Sequence, residues 1–255
     1  MVTTLGVVEV QPAVESLSLK SPLAGIARRR FGGKTLLEWV VRRVGDAQRL
    51  SQIVVVAGDD LLTRTLAELA PADVRTYVSR AEDPLGRLAD VAREFQPDAV
   101  VRLSVSTPFV DPVLLDRLIT VGINDDECDY VGYRFGDGRP AVESKMGVFS
   151  EWCRTKAILR ADREARHAED RQHPTRYLHG HGEKFTLRFL PAPAKLDRDD
   201  LCLAIHDEED WEHVELILDA LGPESLDWQY IMALLDRHPY LARAVEQHRT
   251  ATALL

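Results

Sequence analysis

A chain of 255 residues, 45% of them hydrophobic, is long enough to bury a full core as one large domain. Its formal net charge of -9 argues against an extended nucleic-acid surface, though it leaves room for a local basic pocket. The scattered Cys128, Cys153 and Cys202 show neither CxxC nor metal-ligand spacing, and no signal pattern or bilayer-length apolar run is present, so the expectation is a cytoplasmic protein with no membrane partner.

Residues 5–10 read as a first short strand, ending at Gln11 and Pro12. The loop over 13–31 carries Lys20, Arg28, Arg29 and Arg30 around Gly25. A basic loop after the first strand of an α/β sheet is where phosphate is bound. Gly32-Gly33-Lys34-Thr35 then opens a helix whose apolar positions Leu36, Leu37, Val40, Val41 and Val44 keep helical spacing. It is not a Walker A loop, because no first glycine stands at the required distance. A strand over 53–57, a helix over 61–69 and a strand over 74–78 follow. Glu82-Asp83-Pro84 caps a helix through Phe95.

The apolar run 99–103 reads as a strand buried on both faces, in the middle of a parallel sheet. It runs into a polar turn, 104–108, expected to line a pocket beyond the strand's carboxyl end. Asp111 and Pro112 supply an N-cap and a first helical residue for a helix to Thr120. Strand and helix thus alternate four times, which predicts a doubly wound, mostly parallel sheet. Residues 124–129 form an acidic turn before a strand over 130–133.

The second half is less regular. The pattern predicts a strand over 146–149, a helix capped by Ser150 and reaching Ala161, and a half-exposed strand over 185–189. Residues 160–173, dense in both charge signs, read as a solvated helical face. The apolar run 201–205 returns to the core as a strand. Asp207, Glu208, Glu209 and Asp210 fill the first turn of a helix to Leu221. Two short helices over 227–237 and 239–248 finish the chain. His179-Gly180-His181 brings no third ligand and is not read as a metal site. The expected organisation is one domain over 1–255. Its core is 1–145 and 190–222, with a protruding segment over 146–189 that mediates a homodimer and a helical tail over 223–255.

Five segments then resemble, in order, the cytidylyltransferases that activate acidic or modified sugars: acylneuraminate and KDO cytidylyltransferases, and in particular the spore-coat polysaccharide branch. Residues 32–39 resemble the family's Gly-Gly-Lys-Pro-Leu-Leu segment, and residues 82–87 its acidic-acidic-Val-Leu-x-Arg segment. Val101-Arg102-Leu103 with Pro108, Asp111 and Pro112 resembles the frame of its Gly-Asp-Cys-Pro turn. Residues 171–177 resemble Arg-Glu-His-Val-Thr-x-Tyr, and residues 226–239 resemble the branch's tail.

The resemblance implies a reaction in which a sugar oxygen attacks the α-phosphorus of CTP and pyrophosphate leaves, with Mg²⁺ held by two aspartates. It implies a nucleotide site at Lys20, Ser21, Gly25, Arg28, Ser106 and Thr107, and a sugar site at Arg102, Arg171 and His173. For Arg102 the plainer reading is a packed stem with a local ion pair. Both metal aspartates are replaced: Ser106 stands at the first and His206 at the second. A hydroxyl and an imidazole suit Mg²⁺ poorly. Asp207, one step along, is the acid that would take over as a metal ligand, against a plainer role at a helix N-terminus. Two readings stay open: a divergent nucleotidyltransferase, or a catalytically inactive homologue that binds a nucleotide or sugar or regulates an active partner. No residue is assigned as catalytic.

Overall fold

The computed structural model describes residues 2–10, 28–198, 200–238 and 241. Its main sheet has seven strands: β1 (Thr4–Glu9), β4 (Gln52–Gly58), β5 (Arg75–Ser79), β6 (Ala99–Ser104), β7 (Tyr130–Arg134), β8 (Glu151–Arg154) and β9 (Leu187–Pro191). They lie in the order β5-β4-β1-β6-β8-β7-β9, and β8 alone runs against the rest of this sheet. A two-stranded hairpin, β2 (Arg30–Phe31) with β3 (Lys34–Thr35), stands apart. Gly32 and Gly33 make its turn with φ of 55° and 81°, the left-handed pair that a tight hairpin demands.

The middle of the sheet is covered on both faces, and the alternation of side chains along its strands shows why β1, β4 and β6 are mainly apolar. Leu5 and Val7, Val54 and Val56, and Val100 point into one core. Val8, Val55, Val101 and Leu103 point into the other. The first core is closed by α3 (Pro84–Phe95), α5 (Thr155–Glu164) and α7 (Arg176–Gly180). The second is closed by α1 (Leu36–Gly45), α2 (Leu61–Ala67), α4 (Pro112–Ile123), α8 (Glu208–Leu221) and α9 (Trp228–Arg237). A short α6 (Ala168–Gln172) packs by α3. This is the doubly wound sheet that the sequence predicts.

Helix starts follow the sequence reading closely. Asp60, Asp83, Asp111 and Asp207 each accept a backbone N–H from the first turn of the helix they precede. Pro84 and Pro112 occupy first-turn positions.

Two expectations fail in the second half. The strand is 151–154 rather than 146–149, so Ser150 does not cap a helix. Its hydroxyl donates to the Arg102 carbonyl at 2.8 Å, and α5 starts only at Thr155. Met146, Val148 and Phe149 are apolar because they are buried, not because they sit in a ladder. Residues 201–205 are likewise fully buried, yet they form no strand and bond instead to loops. Burial alone cannot tell a core strand from a core loop. Segment 146–189 adds β8 between β6 and β7 and seats Ala157, Ile158 and Ala161 of α5 in the core shared with α3. Most of the predicted helix over 239–248 lies outside the described residues.

Candidate functional site

The strand order reverses between β1 and β6. From β1 the chain proceeds outward to β4 and β5, then returns to the other side of β1 as β6. In open α/β sheets a crevice forms at the carboxyl ends of the strands flanking such a reversal. Those ends are Glu9 and Ser104, which pair in register. Lys20, Ser21 and Gly25, in the segment of sequence that follows β1, lie outside the described residues.

Three segments converge on the crevice. The turn after β6 is tied by hydrogen bonds from Thr107 N and Thr107 Oγ1 to the Ser104 carbonyl, at 3.2 and 2.7 Å. Ser104 and Ser106 share a hydroxyl–hydroxyl bond of 2.8 Å. The second segment is 201–206, whose Ile205 N–H donates to the Ser106 carbonyl at 2.8 Å. The third is 144–148. There Lys145 O accepts from Leu203 N and Ala204 N, and Gly147 (φ 69°) lies so near that a Cβ would come 2.8 Å from Ala204 N. Ser106 and His206, placed at the two strand ends by sequence, are therefore neighbours across one backbone bond. The carrier of His206 is a buried loop, not the strand expected.

The acids here sort by role. Asp207 accepts the Asp210 N–H at 3.0 Å, the helix-capping role, so the acid expected to replace a metal ligand is engaged at the N-terminus of α8. Asp210 is the carboxylate that meets His206. Its Oδ2 accepts the His206 N–H at 2.8 Å, and its Oδ1 accepts from Cys202 Sγ at 3.4 Å. Part of His206 faces solvent, yet desolvation of the ring lowers its pKa, with Lys145 reinforcing and Asp210 opposing. Burial, with Asp210 nearby, pushes the Cys202 thiol up to about 12. Cys202, Asp210 and Lys145 were not singled out by sequence reasoning. The even spacing of Cys202, His206 and Asp210 was the available signal.

Mg²⁺, which the resemblance implies, is not matched by this donor set. It needs near-octahedral oxygen ligands with carboxylate anchors. At the two positions stand a hydroxyl already bonded to Ser104 and an imidazole. No step through Mg²⁺ is therefore derived.

The remaining predicted residues are engaged elsewhere. Arg102 Nε donates to Glu9 Oε2 at 2.9 Å, and its guanidinium lies 3.9 Å from Glu151, with only 20% of the side chain exposed. Burial opposes its charge, but Glu9 and Glu151 outweigh that and raise its pKa. Glu151 also accepts from Tyr130 Oη and Thr175 Oγ1, both at 2.6 Å. Among the described residues, buried Glu9 Oε1 meets no hydrogen-bond partner.

Arg171 ties α3 to α5 through Asp83 at 2.8 Å and Asp162 at 2.9 Å. Exposed His173 ends α6. Arg28 is exposed, Arg29 pairs with Glu208 at the start of α8, and Arg30 donates to the Gly33 carbonyl. Thus the structure joins Ser106, Thr107 and His206 at one crevice, while Arg171 and His173 sit with α6.

A doubly wound sheet with a crevice between β1 and β6 is the architecture of nucleotide-handling α/β proteins. Over residues 27–229 the sequence matches the MobA-like NTP transferase domain, and the chain belongs to that family. It is 25% identical over 224 residues to the spore coat polysaccharide biosynthesis protein SpsF of Bacillus subtilis (strain 168), covering 85% of this chain and 90% of that protein. A cytidylyltransferase from Leptospira borgpetersenii superposes with a TM-score of 0.78 at 20% identity, covering 94% of this chain and 96% of the other. CMP:2-keto-3-deoxy-manno-octonic acid synthetase, solved with CTP, superposes with a TM-score of 0.63 at 11% identity, covering 86% and 99%. The resemblance to cytidylyltransferases drawn from the sequence is borne out.

Proposed function

We propose that this chain is a nucleotidyltransferase-like protein that takes a nucleoside triphosphate, CTP by kinship, and a sugar-like hydroxylated or acidic molecule at the carboxyl ends of β1 and β6. The observation that carries this reading is the Ile205–Ser106 backbone bond, which builds one crevice wall from the two segments that bear the metal aspartates in cytidylyltransferases. In the transfer itself, a substrate oxygen bonds to the α-phosphorus and the bond to the β-phosphate oxygen breaks. Pyrophosphate departs with that electron pair, and the attacking hydroxyl gives its proton to solvent. The kinship with SpsF supports a place in surface polysaccharide or specialised metabolite synthesis.

A second reading is favoured by the donor set at Ser106 and His206. With a hydroxyl and an imidazole in place of the aspartate pair at these two positions, the chain binds nucleotide or sugar without turnover, or regulates an active partner. Calorimetric titration with CTP and a pyrophosphate-release assay with acidic and neutral sugars separate the two. Binding with release supports the first reading, and binding without release the second. Failure of every nucleoside triphosphate to bind overturns the first reading, and failure of the sugars to bind as well overturns the binding form of the second.

A further inference from the structure

We propose that Cys202, His206 and Asp210 form a site for a divalent cation of the zinc class at the edge of the nucleotide crevice, sharing His206 with the place of a Mg²⁺ aspartate pair but taking its other two donors from Cys202 and Asp210. Their ligand atoms all lie within 4.8 Å of one another, and among the described residues they are the one such group of three. Tetrahedral Zn²⁺ bonds of ~2.3 Å to sulfur and ~2.0–2.1 Å to nitrogen and oxygen put neighbouring donors roughly 3.3–3.6 Å apart. Cys202 Sγ and Asp210 Oδ1 already stand at 3.4 Å, so mainly the His206 ring must close in.

Several features prepare the site. A thiolate, an imidazole and a carboxylate are the donor mix of zinc rather than magnesium. Asp210 is oriented by the His206 N–H on its second oxygen, leaving Oδ1 toward the sulfur. Such outer hydrogen bonds fix ligand geometry before the ion arrives. Cys202 and Asp210 are buried while His206 is exposed, so an ion enters from the His206 side and keeps a fourth position open to water. On binding, the S–H bond breaks, sulfur bonds to the cation, and the proton passes to solvent. Lys145 and Asp207 lie near the His206 ring with charges of opposite sign.

The test uses the full chain, freed of metal by chelation and titrated with Zn²⁺ alone. We expect one ion per chain, retained in excess Mg²⁺, and a thiolate-to-metal absorption band when Co²⁺ is used. His206→Gln, a change at an exposed position, should weaken Zn²⁺ binding about a hundredfold, and Cys202→Ser should abolish the Co²⁺ band. Absence of saturable Zn²⁺ binding overturns the site. So does unchanged affinity in His206→Gln, or a Co²⁺ band that survives in folded Cys202→Ser. If Cys202→Ser does not fold, His206→Gln alone decides. No nucleotide enters this titration, so its outcome is independent of the proposed CTP binding.

Discussion

The Ile205 amide donates to the Ser106 carbonyl at 2.8 Å, joining the turn after β6 to the loop that leads into α8. Neither partner belongs to a strand at that point, and the bond nonetheless sets two remote positions side by side at the sheet's carboxyl edge. It also makes a direct experiment available. Ser106→Asp with His206→Asp should rebuild a carboxylate pair and tighten CTP binding in the presence of Mg²⁺ by more than about tenfold. Either single change should do much less, because two ligands acting on one ion are non-additive. Calorimetry with and without Mg²⁺ reads the outcome, and additive single effects would count against a shared ion.

Gly147 and Gly138 offer a matched comparison. Both have positive φ, 69° and 93°, but an added Cβ meets the Ala204 backbone at 2.8 Å only at Gly147. Gly147→Ala should therefore cost more stability than Gly138→Ala, whose penalty is the backbone term of about 1–2 kcal/mol. It should also weaken nucleotide binding, by displacing the 203–205 loop. Equal melting temperatures for the two variants would show that the contact yields freely.

Arg43 reaches from α1 to two loops. It is buried, and it donates to the carbonyls of Val110 and Leu226. Burial lowers its pKa despite Asp111 and Asp227 nearby. Arg43→Ala should leave both carbonyls unpaired and destabilise by about 2–6 kcal/mol, since each buried orphan costs roughly 1–3 kcal/mol. Urea denaturation measures this, and a loss below about 0.5 kcal/mol would mean that water replaces the guanidinium.

Asp162 predicts an acid limb in stability. Burial works against its ionised form, but hydrogen bonds from Arg171 and Arg93 outweigh it and hold its carboxyl below the usual range. A depressed folded pKa contributes stability that is complete above the unfolded value near ~3.9 and is lost as pH falls through the folded value. Asp162→Asn should thus lower stability at neutral pH and narrow the gap to the parent chain in acid. Parallel pH profiles for the two proteins would remove Asp162 from the account.

The homodimer proposed for segment 146–189 calls for sedimentation of the full chain at micromolar concentration. A dimer is expected, and a monomer would end that proposal.

How much of this was legible from residues alone follows a physical division. The doubly wound sheet could be read because strands covered on both faces must be largely apolar, as 53–57 and, apart from Arg102, 99–103 are. Helix starts could be read at Asp83-Pro84 and Asp111-Pro112, because capping is a local bond between a side chain and the next turn. Pattern could not separate buried strand from buried loop at 146–149 and 201–205, since burial leaves the same apolar signature on both. The partners of Arg102 and Arg171 were also hidden. Their carboxylates, Glu9, Glu151, Asp83 and Asp162, come from other elements, as distant as 93 residues in sequence. The parts played by Asp207 and Asp210 were hidden for the same kind of reason. Local sequence marks both as acids of a first helical turn, but only the path of the 201–206 loop decides which one faces Cys202 and His206. Sequence by itself determined the alternation of strand and helix and where helices start, through periodicity and caps that act over a few residues. The tertiary structure decided which side chains share the crevice, because those distances depend on how separate segments close on one another.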